Sequence, residues 1–349
     1  MKNPRIIFRV DGSSDIGMGH VVRSIRLAQA ISERIPSQVI FATKTPEEVI
    51  ERLKGFSLNH RIESFRNKSQ ESIICFYEAF KPHAVITDLS VTDNLEDYIK
   101  VVETVPLHVN LGENFFNYFN FGIVVFPSAF RVNPKCRCET GANYYIGAKY
   151  ILIDPRLKDL PPPDYKNKPL KILVALGGAD PRGWTQRVIS IAKESGLDSN
   201  TAVLNVVVGP ANRNREVIYK ESQGESIINV FEPQSELYDL ISKCDLAIAS
   251  GGTTAYETIS AGRPTWIIPE IEFEEEVAKI LKSKKTIIDF GINNLKEGFF
   301  KRLESVHDNP QSFAEIIKAG RKYIDGMGLI RIADKISSNL KAMKISLDI

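Results

Sequence analysis

Short runs rich in Ile, Val and Phe alternate with amphipathic stretches along the whole chain, the pattern of parallel strands joined by helices. In the first half these runs predict strands over residues 5–10, 38–43, 84–88, 107–110 and 122–126. Between the first two, Val22, Ile25, Leu27, Ala28 and Ile31 keep a single apolar face, which predicts a helix over residues 21–34. The alternation breaks at residues 159–169, where Pro161-Pro162-Pro163 precedes the polar Asp164-Tyr165-Lys166-Asn167-Lys168, and this stretch reads as a linker. A second series then predicts strands over residues 171–176, 202–208, 227–231, 245–249, 265–268 and 286–289. From residue 294 onward the pattern is almost wholly helical.

The expected fold class is α/β, with two doubly wound Rossmann-like domains facing each other across a cleft and sites at the carboxyl ends of their strands. The predicted division is a first domain over residues 1–158, a linker over 159–169, and a second domain over 170–349 that carries the helical tail. A chain of 349 residues is long enough for two such cores. Its 45 basic and 43 acidic residues are well mixed and leave a formal charge of +2, so there is no broad footprint for nucleic acid or anionic lipid. Any phosphate recognition has to be local. Cys75, Cys136, Cys138 and Cys244 are too scattered for a disulfide framework and suggest a reducing compartment. Cys136 and Cys138 lack a second Cys or His pair for zinc, and neither a metal nor a cofactor is expected. No apolar run is long enough to span a membrane and the amino terminus is unlike a secretory signal, so a cytoplasmic location is expected.

Two segments carry candidate chemistry. Gly251-Gly252-Thr253-Thr254-Ala255-Tyr256-Glu257 follows a predicted strand and opens a helical stretch that stops at Gly262-Arg263-Pro264. Glycines at such a turn let backbone N–H groups approach an anion at the positive end of the helix, and a diphosphate suits that position. Glu257 falls one turn beyond Thr253 and Thr254 on the same face, where a carboxylate would take the hydroxyls of a ribose. The same residues equally suit a plain Gly-Gly turn with a Thr cap and a solvated Glu.

The second segment runs from Phe8-Arg9-Val10-Asp11-Gly12 to Gly17-Met18-Gly19-His20 and places His20 at the amino end of the first helix. The positive helix end disfavours an imidazolium, which would leave His20 neutral as a general base, with Asp11 orienting the ring or the water it activates. The bland alternative is that His20 caps the helix and Asp11 fixes the turn. The turn has two of the three glycines of a dinucleotide fingerprint and no acidic residue closes the second predicted strand, so NAD binding is not expected. A Gly-Lys-Ser/Thr sequence is absent, which removes a P-loop.

Together, Arg9-Val10-Asp11 through Gly17-Met18-Gly19-His20-Val21-Val22-Arg23, Leu176-Gly177-Gly178-Ala179-Asp180, and Gly251-Gly252-Thr253-Thr254 through Glu257 to Gly262-Arg263-Pro264 resemble the PseG/SpsG family. These are UDP-sugar hydrolases of pseudaminic acid biosynthesis and related spore coat polysaccharide proteins, with a GT-B fold shared with MurG-type glycosyltransferases. The resemblance implies that His20 activates water, that Asp11 stands beside it, and that Gly17, Gly19 and Arg23 belong to the same active-site segment. It further implies that Gly177 and Gly178 lie near the diphosphate, that Gly251, Gly252, Thr253 and Thr254 hold the phosphates, and that Glu257 binds the ribose. Asp88 matches the acidic residue of an Asp-His-Tyr segment whose Tyr position holds Ser90 here. The chain departs from the family at Asn110-Leu111-Gly112-Glu113-Asn114, where paired aspartates are usual. It departs again at Glu272-Phe273-Glu274-Glu275-Glu276, where an Asn-Gln pair is usual. These acidic residues would select a different amino or acetamido sugar, or form a solvated helix start.

The activity implied is inverting hydrolysis of a UDP-linked acetamido or deoxy sugar, with His20 deprotonating the attacking water. Two alternatives share the scaffold: a glycosyltransferase in which an acceptor hydroxyl replaces water, and a non-catalytic nucleotide-sugar-binding protein. The expected partner is a small UDP-sugar, with no nucleic acid and no integral membrane segment. Phe115-Phe116-Asn117-Tyr118-Phe119-Asn120-Phe121 is the only candidate for a membrane-facing patch and reads better as core or lid.

Overall fold

A computed structural model describes residues 3–13, 17–90, 95–112, 121–130, 141–165, 169–209, 211–232, 237–288, 303, 306 and 311–346. The chain divides into two compact units, Met1–Leu152 with Met327–Ile349, and Ile153–Gly326.

The first unit alternates strand and helix: β1 (Arg5–Val10), α1 (Gly19–Arg34), β2 (Gln38–Thr43), α2 (Pro46–Leu53), β3 (His60–Ser64), α3 (Gln70–Phe80), β4 (Ala84–Asp88), α4 (Leu95–Glu103), β5 (Leu107–Leu111), β6 (Ile123–Phe126) and β7 (Asn143–Ile146). The seven strands are parallel in the order β3-β2-β1-β4-β5-β6-β7. Both faces are covered, as parallel sheets require: Ile6, Phe8 and Val10 enter the core that includes α1, while Ile7 enters the core on the opposite face. The strand order reverses between β1 and β4, so the loop after β1 and the end of β4 open side by side.

The second unit holds β8 (Leu170–Ala175), α5 (Trp184–Glu194), β9 (Ala202–Val207), α6 (Arg215–Ser222), β10 (Ile228–Phe231), α7 (Tyr238–Lys243), β11 (Leu246–Ala249), α8 (Thr253–Ser260), β12 (Thr265–Ile267), α9 (Glu272–Ser283) and α10 (Gln311–Tyr323). Its parallel order is β10-β9-β8-β11-β12, with the reversal between β8 and β11. The loops after β8 and β11 carry the glycine pairs.

The tail expected in the second domain is divided. α11 (Gly328–Ser346) belongs to the first unit, where Leu329, Ile332, Ala333, Ile336 and Leu340 join the α1 core. Each of its large apolar side chains contributes about 1.5–3 kcal/mol on burial, enough in sum to fix the helix there. Gly328 begins this helix where a Cβ would collide with the backbone of Ile151. Residues 153–158, expected in the first domain, fall in the second unit, and so does the predicted linker. Arg263 holds part of that linker through the Pro161 carbonyl at 2.8 Å.

Two strands went unpredicted. β3 and β7 are the edges of the first sheet, and the sequence His60-Arg61-Ile62-Glu63-Ser64 has none of the continuous apolar character of a buried strand. Conversely, the strand predicted over residues 286–289 shows a single bridge, Ile288 to Trp266, with Asp289 outside the described residues.

Candidate active site

In the first unit the chemistry converges on one carboxylate. Asp88 ends β4 with no exposed surface, and α1 lies over it. His20, the second residue of α1, sets Nδ1 2.6 Å from Asp88 Oδ1. One turn later Arg23 donates from Nε to Oδ2 at 2.7 Å and from Nη2 to Oδ1 at 2.5 Å, and Ser24 Oγ donates to Oδ2 at 3.2 Å. The spacing of His20, Arg23 and Ser24 follows the helix period, so one face of α1 supplies these donors. Burial alone would raise the Asp88 carboxyl, but the charges and hydrogen bonds of Arg23 and His20 outweigh it and hold Asp88 well below the usual carboxylate range.

The consequence for His20 is a fixed tautomer. An ionised Asp88 only accepts, so in a neutral ring the Nδ1 proton points at it and the lone pair sits on Nε2; Arg23 Nη2 also lies 3.1 Å from Nδ1. Gly112, at φ +111°, passes over this group: a Cβ there would lie 3.1 Å from Arg23 Nη2 and 3.8 Å from Asp88 Oδ1.

Asp11 does something else. Arg9 grips it with two bonds of 2.6 and 2.8 Å, Lys44 N–H donates at 2.6 Å and Thr43 Oγ1 at 3.1 Å. Burial would raise its carboxyl, yet Arg9 takes it below the ordinary value. The pair ties the end of β1 to the loop after β2, and the residue that orients His20 is Asp88 rather than Asp11. Gly17 adopts φ +87° and donates its N–H to Ser13 O at 2.8 Å, while Gly19 starts α1. Asn110 is 1% exposed and its amide makes no hydrogen bond to a described residue; Glu113, Asn114, Cys136, Cys138 and residues 115–120 lie outside the described residues.

In the second unit the two glycine segments meet at Ser250. A Cβ on Gly177, which has φ +86°, or on Gly252 would lie 3.8 Å from Ser250 Oγ. Gly178 accepts from Ala211 N–H at 3.1 Å and packs against Gly209. Asp180 caps α5, accepting from Trp184 N–H at 2.7 Å and Thr185 N–H at 2.8 Å. Gly252 precedes α8, whose first residues are Thr253 and Thr254; Glu257 lies one turn along and is buried. Gly251 is pressed against Glu274 of α9, a Cβ there falling 2.6 Å from Glu274 Cβ. The start of α8 has no side-chain cap at Gly252, and a Cβ there would lie 3.6 Å from Glu274 Oε1; uncapped helix starts favour an anion. Sequence reasoning missed Ser250, Ser24 and the structural use of Asp180; a Ser one turn beyond His20 and a Ser before the glycine pair are the signals that were present.

Among the described residues, no group of three or more His, Cys, Asp and Glu is disposed to hold a metal, and no helix is long and apolar enough to cross a membrane.

No family model matches the chain. It is 23% identical over 339 residues to the spore coat polysaccharide biosynthesis protein SpsG of Bacillus subtilis, an alignment covering 92% of this chain and 94% of SpsG. Among solved structures, S. aureus MnaA in complex with UDP superposes with a TM-score of 0.64 at 12% identity over 97% of each chain. MurG of Acinetobacter baumannii superposes with a TM-score of 0.62 at 15% identity over 96% of this chain and 100% of MurG. The chain is thus similar to SpsG along nearly its whole length and has the GT-B fold of these solved structures.

Proposed function

We propose that this protein is an enzyme of polysaccharide biosynthesis that hydrolyses a UDP-linked sugar, releasing UDP and the free sugar. The observation that carries the reading is the His20–Asp88–Arg23 group: a histidine whose tautomer is set by a buried carboxylate and whose Nε2 is left to take a proton. Supporting it are the sequence likeness to SpsG across nearly the whole chain, and a fold held in common with a protein solved with UDP bound.

In the proposed reaction Nε2 accepts a proton from water as the water oxygen bonds to the anomeric carbon. The bond from that carbon to the diphosphate oxygen breaks, and its electron pair leaves with UDP. Gly251, Gly252, Thr253 and Thr254 at the start of α8, with Gly177 and Gly178, offer backbone donors to the charge growing on the diphosphate, and Glu257 takes the ribose hydroxyls. UDP leaves readily at neutral pH, so no acid is required on that side. Attack opposite the leaving group inverts the anomeric centre. Asp88 and Arg23 act through His20 as positioning residues, and Asp11 belongs to the scaffold.

A second reading has a specific observation in its favour: the fold is also that of MurG and of other glycosyltransferases. In that case Nε2 takes its proton from an acceptor hydroxyl. Turnover in water enriched in oxygen-18 tests the bond that breaks. Label in the free sugar and none in UDP is expected; label in UDP would show attack at phosphorus and overturn the mechanism.

A further inference from the structure

The carboxyl-end loops of the second unit contain a carboxyl group that the proposed reaction does not use. Glu270 follows β12, is 9% exposed, and among the described residues neither of its carboxyl oxygens finds a partner in good hydrogen-bond geometry, with Asp180 and the Arg182 backbone as its polar neighbours. Its backbone N–H donates to Glu274 Oε2 at 2.7 Å, and Glu274 is the residue against which Gly251 is pressed. Glu270 is therefore anchored one contact away from the turn that opens α8. The groups acting on it are Asp180 and the Arg182 backbone in the loop after β8, and Glu274 on α9. The Arg182 side-chain charge bears on Glu274 in turn. Asp180 and Glu274 are themselves acidic and bring like charge, and the Arg182 backbone offers Glu270 a dipole but no counter-charge.

Burial, and after it the Asp180 carboxylate, push the Glu270 carboxyl up to about 7. Burial raises Glu274 as well. A diphosphate at the Gly251–Gly252 turn would bring further negative charge to this corner, where the Arg182 backbone alone favours an ionised Glu270.

We propose that Glu270 makes anion binding at the glycine turns of the second unit proton-dependent: the bound state holds Glu270 as a neutral carboxylic acid, and binding draws one proton from solvent wherever the free protein carries it ionised. This rests on the reading of those turns as the seat of a nucleoside diphosphate. The sign follows from linkage. A ligand that favours the protonated form raises the group's pKa on binding, so affinity is full below the free value and falls as pH rises through it, by at most about tenfold per pH unit.

The test is calorimetric titration of UDP into the wild-type chain and E270Q between pH 6 and 8.5, in two buffers of different ionisation enthalpy. The terminal phosphate of UDP titrates near this range but contributes equally to both proteins, so their difference reads Glu270 alone. Wild type is expected to take up more protons per UDP than E270Q near pH 7.5, and its affinity relative to E270Q to fall about tenfold between pH 7 and 8.5. Equal proton uptake and parallel affinity profiles would overturn the proposal while leaving UDP as a ligand. Failure of wild type to bind UDP at pH 6 would overturn the nucleotide reading itself. Carbon-13 NMR of glutamate carboxyls in the wild-type chain tests the same coupling without a variant: one resonance titrating near neutrality must move to higher pKa on UDP addition, and no such movement refutes the coupling.

Discussion

His20 Nδ1 and Asp88 Oδ1 lie 2.6 Å apart although 68 positions separate them in the sequence. The sheet makes the meeting possible: β1 and β4 are neighbours, α1 follows β1, and the end of β4 therefore lies beneath the first turn of α1. Replacing Asp88 by Asn offers Nδ1 an amide in place of an acceptor-only group and permits the proton to move to Nε2. Turnover should fall by about two to four orders of magnitude, with the dissociation constant for UDP changed less than about threefold. Steady-state kinetics beside a UDP titration checks this, and near-normal turnover would show that Asp88 does not set the tautomer.

Asp11 should behave as part of the scaffold. Asp11→Ala leaves the Arg9 guanidinium buried and unpaired, which costs about 3–5 kcal/mol. The double change Arg9→Met with Asp11→Leu removes both charges and should recover most of that loss. Urea denaturation measures the stability, and the turnover of the folded double variant should stay within about tenfold of wild type. Loss of turnover with stability restored would place Asp11 in the reaction.

His108 gives the first unit a dependence on pH. It is 1% exposed on β5 with Nε2 2.9 Å from Thr87 Oγ1, and burial takes its pKa from 6.5 down to about 3. The unfolded chain therefore binds a proton that the folded chain refuses between those values. Stability from this group is complete above pH 6.5 and is lost as pH falls toward 3, at a slope approaching about 1.4 kcal/mol per pH unit. Denaturant midpoints measured from pH 7.5 to 4.5 should decline less steeply in His108→Gln than in wild type; parallel curves would contradict the assignment.

α11 stabilises the first unit from the far end of the chain. Ile336→Ala should cost about 2–5 kcal/mol through the cavity it leaves. Both tryptophans, Trp184 and Trp266, lie in the second unit, so their fluorescence reports on that unit while circular dichroism reports on both. In the variant, part of the dichroism change should come at a lower urea concentration than the fluorescence change. A fluorescence midpoint shifted as far as the dichroism midpoint would show that the two units unfold together.

The buried strands were legible because a parallel sheet covered on both faces writes itself as continuous apolar runs, as in Arg5–Val10 and Leu170–Ala175. β3 and β7, at an edge, carry polar side chains and left no such run. The destination of α11 was hidden for a different reason: an amphipathic pattern shows that a helix has an apolar face but not which core receives it. In the site, His20 was singled out by its place at the amino end of the first helix, whereas Arg23 and Asp88 came only from the family resemblance. That Asp88 and not Asp11 meets His20 depends on Arg9, which claims Asp11 first from the same strand, and no local pattern reports that competition. Glu274 looked like part of a solvated helix start and Glu270 drew no notice, yet both stand near the glycine turn, because β11 and β12 are neighbours and their loops share one edge of the sheet.

The proposed reaction stands or falls on His20 activating water against a UDP-sugar. Phosphorus NMR of the purified protein with UDP-, GDP- and CMP-linked acetamido sugars, with chelator present and no acceptor added, reads that step. Wild type should release UDP from a UDP-sugar, and His20→Ala should lose about two to four orders of magnitude in rate while still binding UDP. Undiminished release by His20→Ala, or UDP bound firmly by wild type with no sugar cleaved across the panel, would contradict it.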